Sequence, residues 1–262
     1  MYHQNPFLPI HSTFMQMSAN PRLTRKIDHQ NEEREALLAY PREDLVTIIQ
    51  DVGFSCTCCG RCCTREFNGH VLMLDEDTER VRSIAPEALI PAPYFEFCDN
   101  TGVLYTSGYT LRIKEDGSCH FLDQNRRCTI YAERMGICRL YPYMLHREPG
   151  EDGGLDWRQI AGLNQHGEYH DEIGRAEAEE IAAAVKAYEE AYLLHEIAFL
   201  ESLIAHFDEE KLRHVPKNLD RQMAAFRRGE PVPVKIYYKG AFEDGIADCR
   251  ESGMEPHRPG KR

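Results

Sequence analysis

No window of this sequence approaches the roughly 18 uninterrupted apolar residues that a membrane-spanning helix needs, and no basic N-terminal segment precedes a long apolar run. Neither a membrane span nor a secretory signal is therefore expected, and the chain reads as cytoplasmic. Positive charge is also scarce: 31 Lys and Arg face 43 Asp and Glu, for a net charge of −12. From Asp171 to Arg213 twelve acids stand against four bases, which reads as a solvated helix face. Duplex nucleic acid is excluded as a partner for such a surface. The sequence also lacks a glycine-rich strand–loop–helix fingerprint, a nucleophile with an evident base, and an internal repeat of usable period.

What it has in excess is cysteine. Five of its ten cysteines fall within eight residues: Cys56, Cys58, Cys59, Cys62 and Cys63, in FSCTCCGRCC. Three more follow at Cys119, Cys128 and Cys138. In a reducing compartment, clustered thiols are ligands or redox groups before they are disulfides. With 262 residues and 42 % hydrophobic content the chain can also bury a core of its own, so metal need not be its only source of stability.

Thiolates are soft ligands suited to zinc, copper(I) and iron–sulfur clusters. The CxxCxxC spacing of Cys56, Cys59 and Cys62 lets successive turns present three sulfurs to one compact centre. Cys62 and Cys63 are adjacent, so their side chains diverge, and one of the pair is expected to serve the first group while the other faces the second. Cys119, Cys128 and Cys138 would complete a second site or close a shared one. Folding of these loops would be coupled to metal binding.

Along the chain, residues 1–30 read as a flexible arm, 31–165 as the cysteine-cluster domain, 166–250 as a helical extension with a late strand, and 251–262 as a polar tail. Helices are expected over 32–40 and from Pro41 to Gly53, and another after Leu74 with Asp75 or Asp77 as its N-cap. His70–Leu74 reads as a strand, residues 103–113 as a hairpin turning at Ser107 and Gly108, and 232–238 as a last strand. Apolar positions at spacings of three and four between Glu172 and Phe207 indicate one long amphipathic helix or two end to end. The fold class is α+β: a small cysteine-rich metal-binding domain of short strands and loops packed on helices, with a C-terminal helical extension.

The motifs FxCxxCGxCC at Phe54–Cys63, CxFL at Cys119–Leu122, CxIYxxR at Cys128–Arg134 and CRxYP at Cys138–Pro142 resemble the YkgJ-type cysteine-cluster family, the CxxCxxCC zinc- or iron-chelating domain. The resemblance covers residues 54–143. It implies a metal-binding domain whose ligands are Cys56, Cys59, Cys62, Cys63, Cys119, Cys128 and Cys138. One branch of the family comprises flagellin lysine N-methylases, which implies an alternative: a cluster-containing enzyme using S-adenosylmethionine. This chain departs from the pattern at Met135, where many members have Pro, and in RQIAGLNQHG, where many have a further Cys before Gly. The eighth ligand is thereby left to Cys58, Cys98, a histidine or solvent.

Other candidates have ordinary readings beside the functional one. Cys58 falls outside the family spacing, Cys98 reads as a small buried hydrophobe, and Cys249 sits by the polar tail. His120 adjoins Cys119; His166 and His170 have the spacing of a helical metal pair, weakened by Gly167; His70 and His146 lie near the clusters. Arg61, Arg65 and Arg139 flank the thiolates and could offset their charge, while Arg134 and Tyr141 could brace the loop. Seven spaced thiols exceed what a dithiol switch needs, and their number tilts the cofactor toward an iron–sulfur cluster over zinc. A protein partner docking on the long acidic helix is a further expectation.

Overall fold

The computed structural model describes residues 21–149, 155–159 and 164–254, with the side chains of Asn68, 145–149 and 155–159 excepted. A one-turn helix, α3 (Arg65–Asn68), follows the cysteine run, and β5 (Leu145–Pro149) pairs antiparallel with β6 (Leu155–Gln159). Its scaffold is one unbroken helix of 35 residues, α6 (Arg175–Glu209), against which α1 (Pro21–Ala39) and α2 (Arg42–Val52) pack. Ala178, Ala182 and Val185 make a low face on α6 that receives Leu37, Leu45, Val46 and Ile49. The Lys186 ammonium donates to the Leu38 and Tyr40 carbonyl oxygens, where α1 ends and its carbonyls have no partner within the helix.

The expected arm is shorter than its sequence suggests. Residues 21–30 form the first half of α1, with Pro21 in the first turn, where a missing N–H costs least. The apolar anchors of this half are Leu23 and Ile27, against the far end of α6, and two such residues are too few to display a period. Residues 1–20 lie outside the described residues.

The far half of α6 carries a four-stranded sheet ordered β2 (Phe97–Cys98), β3 (Leu104–Thr106), β7 (Val232–Tyr238) and β8 (Ala241–Ala247). β3 and β7 run parallel, and the other pairs are antiparallel. Alternation assigns its two faces. Phe97, Tyr105 and Tyr237 pack with Phe199, Leu203 and Phe207 of α6, while Cys98, Leu104, Val234 and Ile236 pack with Phe226 of α7 (Pro216–Arg227). Because β7 and β8 pair into the sheet begun by β2 and β3, the stretches on either side of residue 165 share one sheet.

The hairpin expected over 103–113 does not form. β3 joins the sheet just described, whereas β4 (Tyr109–Leu111) pairs with β1 (Leu89–Pro91). Gly108 instead passes the chain between two sheets, held by the Ser107 carbonyl accepting from His195 Nε2 at 2.6 Å. Residues 70–74 are not a strand either; a single bridge joins Leu72 to Thr110. In α4 (Asp75–Ile84) the N-cap is Leu74, and the buried Asp77 accepts from the Gly136 N–H at 2.9 Å, thereby starting the next helix, α5 (Gly136–Leu140). The expected polar tail is partly packed: Ile113 N–H donates to Glu251, and Arg112 pairs with the Glu251 carboxylate at 2.7 Å. Residues 255–262 lie outside the described residues.

One buried carboxylate organises the β2–β3 connection. Asp99 Oδ1 accepts from the Thr101, Gly102 and Val103 N–H groups and the Thr101 hydroxyl, and Oδ2 accepts from Tyr105. Burial raises its pKa, but these bonds to the charged form more than offset that and hold it below the usual range. A depressed carboxyl stabilises the fold above its unfolded pKa near ~4 and stops doing so as pH falls through the folded value. Asp99→Ala is expected to cost on the order of 3 kcal/mol in urea unfolding, and Asp99→Asn to flatten the acid-side decline of stability below about pH 4.

Candidate metal centre

The cysteine run begins where α2 ends. Gly53 N–H bonds to the Ile49 carbonyl, and the chain then zips against 168–171 through paired bonds between Ser55 and Glu168 at 2.9 and 3.0 Å. Cys58 and Gly60 both take positive φ, 54° and 71°, and so fold the run back on itself. A side chain at Gly60 would come within 3.0 Å of the Arg126 carbonyl oxygen, so glycine lets this turn lie against the 123–128 turn. Arg126 Nε donates to the Cys59 carbonyl at 2.9 Å across the same contact.

The second thiol group is joined to the first through the backbone. Cys119 N–H donates to the Cys63 carbonyl at 2.8 Å, and Leu122 bridges Cys128. Cys138 comes from α5, whose Leu140 sits in the core shared with α6. Two turns and a short helix, far apart in sequence, thus deliver their thiols to one place.

That place is a cavity of 710 Å³ whose lining includes Cys56, Cys58, Cys59, Cys62, Cys63, Cys119, Cys128 and Cys138. Its other walls include Phe54, Phe121, Met135 and Tyr141, with Ile181 and Ala184 of α6. All seven thiols expected as ligands are brought to it. Cys98 and Cys249 are not: both are buried in the core on the α7 side of the sheet. Among the described residues no three His, Cys, Asp or Glu side chains converge closely enough to hold an ion as they stand.

The sulfurs feel one another. Cys62 hydrogen-bonds to Cys63 and is pushed up first by that bond, then by burial and the charges of Cys63, Cys56 and Cys138. Cys63, accepting, is lowered to about 7, with Arg134 and Arg126 assisting against burial. The adjacent pair therefore meets side chain to side chain, where divergence is expected from spacing, because the turn after Gly60 is neither extended nor helical. Burial pushes Cys119 up to about 12, and burial followed by the charges of Cys119, Cys63 and Cys128 raises Cys138.

Backbone donors oppose that trend at three positions. Cys119 receives the Phe121 N–H and Cys128 the Ile130 N–H. Burial raises Cys59, but the Arg61 and Gly167 N–H groups, with the Thr57 side chain and the Arg61 charge, bring it down overall. Each sulfur thus accepts from the residue two places on, a turn that serves a thiolate and does nothing for an apolar thiol. Soft donors, N–H···S turns and too few charges to neutralise the sulfurs fit a thiophilic cation or cluster.

Residues 55–161 match the CxxCxxCC family, described as a putative zinc- or iron-chelating domain. No curated protein and no solved structure matches the chain. The CxxCxxCC segment contains all seven expected ligands, and no helix among the described residues is long and apolar enough to cross a membrane.

Around the CxxCxxCC segment the expected basic and imidazole residues divide. Arg61 donates to the Gln165 carbonyl at 2.9 Å beside Cys59, and Arg139 lines the cavity. Arg65 turns to the Gly253 carbonyl. Arg126 and Arg134 line the cavity too, and their charges favour the Cys63 thiolate. Arg126 escaped sequence reasoning altogether; its one signal is the RRC tripeptide. Arg134 also lies 4.1 Å over the Tyr131 ring.

His166 and His170 do not form a helical pair. His166 lines the cavity, whereas the His170 ring is exposed and lies 3.1 Å from the Asp51 carbonyl. His120 lies 3.8 Å from Glu87, outside the lining. His70 lines the cavity, but its Nε2 is 2.8 Å from the Ser252 carbonyl and its Nδ1 3.4 Å from the Tyr94 hydroxyl. The His146 side chain lies outside the described residues.

Proposed function

We propose that this protein holds a thiolate-ligated metal centre, an iron–sulfur cluster in preference to zinc, with Cys56, Cys59, Cys62, Cys63, Cys119, Cys128 and Cys138 as its ligands. The observation that carries the reading is the gathering of thiols from two separate stretches of chain into one cavity, beside Arg126 and Arg134. The family match supports metal binding in general terms. The number of thiols and the N–H···S turns favour a cluster, whose potential such bonds tune. Zinc would make the centre structural or chelating. A reducing cytoplasm would keep the thiols available for either.

The enzyme reading, with S-adenosylmethionine as co-substrate, draws on a second cavity of 560 Å³, which shares His70, Ile137 and Met144 with the lining of the first. Both volumes are of the size that small ligands fill. Anaerobic purification with elemental analysis and a visible spectrum on one sample tests the main reading. Iron with acid-labile sulfide and broad visible absorption is the expected result; colourless protein with zinc selects the structural module, and protein with neither overturns the proposal. Failure of the metal-loaded protein to bind S-adenosylmethionine would remove the enzyme reading.

A further inference from the structure

We infer that His166 supplies a nitrogen ligand, through Nδ1, to the metal centre proposed for the cysteine cavity. The inference rests on that proposal and concerns the one lining imidazole whose geometry leaves it a donor atom to give. His166 is 7 % exposed and lines the cavity, and its Nδ1 is fully buried with no hydrogen-bond partner. An unpartnered ring nitrogen inside a protein costs free energy that a metal–nitrogen bond recovers.

The other nitrogen is already engaged. Nε2 lies 2.7 Å from the Tyr141 hydroxyl, and the two rings stack at 27° with centroids 5.4 Å apart. With the proton on Nε2 and donated to the Tyr141 oxygen, Nδ1 keeps its lone pair. This is how a partner outside the ligand set fixes the tautomer and orientation of a ligating histidine. Phe67, 5.0 Å from the imidazole centroid, limits the ring on another side.

The chain also brings His166 to the sulfurs. Its neighbour Gly167 gives its backbone N–H to Cys59, so the imidazole is one residue removed from a thiolate contact. The alternatives thin out on the same grounds. Cys98 is buried in the sheet core, and both nitrogens of His70 have polar partners. A mixed sulfur and nitrogen shell carries less negative charge than an all-thiolate one, and replacing thiolate by imidazole raises the potential of an iron–sulfur centre.

The test uses the full chain purified without oxygen, alongside His166→Ala and His166→Cys. If the metal is zinc, X-ray absorption at its edge should show a nitrogen at roughly 2.0–2.1 Å among the sulfurs, lost in both variants. If it is iron, protein labelled with ¹⁵N-histidine should show ¹⁵N hyperfine coupling to the reduced cluster, again lost in both. His166→Ala should weaken metal binding about a hundredfold, and His166→Cys should restore binding with a sulfur-only shell. A sulfur-only shell, or absence of ¹⁵N coupling, in the parent protein would overturn the histidine assignment while leaving the thiolate centre intact. A parent protein that carries no metal would overturn the centre itself.

Discussion

Cys59→Ser and Cys138→Ser are expected to weaken metal binding on the order of a hundredfold or more, while Cys58→Ser and Cys98→Ser retain the metal. A serine hydroxyl is a hard donor that stays protonated near neutral pH, so it cannot stand in for a thiolate. At Cys59 the substitution also discards the acceptor of two backbone N–H groups, those of Arg61 and Gly167. At Cys138 it removes a sulfur buried among Cys119, Cys63 and Cys128, where burial and those neighbouring thiolates already disfavour a charge that a bound cation would offset. Cys98 lies in a different core with Leu104 and Phe226. Exchanging its thiol for a hydroxyl should cost about 1–2 kcal/mol of stability and leave the metal in place. Metal-to-protein ratios after gel filtration, read beside thermal melts, separate the two effects. Equal losses at Cys58 and Cys59 would undo the assignment of seven ligands.

The elements visible in the sequence are those whose own side chains carry the period. α6 shows Ile181, Val185, Tyr188, Tyr192, Phe199, Leu203 and Phe207 at helical spacing, and all seven lie in, or pack directly against, the cores that it shares with α2 and the sheet. β7 alternates Val232, Val234 and Ile236 toward α7, and Gly53 marks the end of α2. The failures share a different cause, since pairing partners are chosen by tertiary context. Leu104, Tyr105 and Thr106 are all buried, so β3 gives no alternation to reveal that its neighbours are β2 and β7 rather than β4. β8 reads AFEDGIA, and its pairing with β7 comes from the backbone register. α7 carries a local signal of its own: Pro216 in the first turn, then Leu219, Met223 and Phe226 at spacings of four and three.

The site divides in the same way. CxxCxxC spacing is local chemistry, and from it and the motifs around it seven of the eight thiols that line the cavity could be named as expected ligands. The second tier could not. Arg126 reaches Cys59 across 67 residues, His166 meets Tyr141 across 25, and Gly167 meets Cys59 across a loop junction. His166 stands out in the sequence only through a spacing with His170 that the fold does not use, and the contacts of Arg126 and Gly167 exist only once the fold closes.

Gly167→Ala is expected to destabilise the protein by about 2–5 kcal/mol and to release metal with it. Gly167 has a φ of +77°, which costs a residue with a Cβ roughly 1–2 kcal/mol. The added carbon would also fall 2.3 Å from the Phe54 ring and 3.1 Å from the Ser55 carbonyl oxygen. Phe54 cannot step aside cheaply. Its ring meets those of Tyr141 and Tyr169 edge-on at 5.6 and 5.2 Å, and its N–H donates to the Tyr143 hydroxyl at 2.8 Å. Overpacking of this kind costs about 1–3 kcal/mol more, and the backbone shift that relieves it carries the Gly167 N–H off the Cys59 sulfur. Gly117→Ala is the control: φ there is +80°, but nothing lies within 4 Å of the added carbon. It should lose only the backbone part, about 1–2 kcal/mol, and keep its metal. Urea unfolding and metal content measured on both variants decide the matter, because similar losses in the two would mean that the contact with Phe54 and Cys59 has no part in holding the centre.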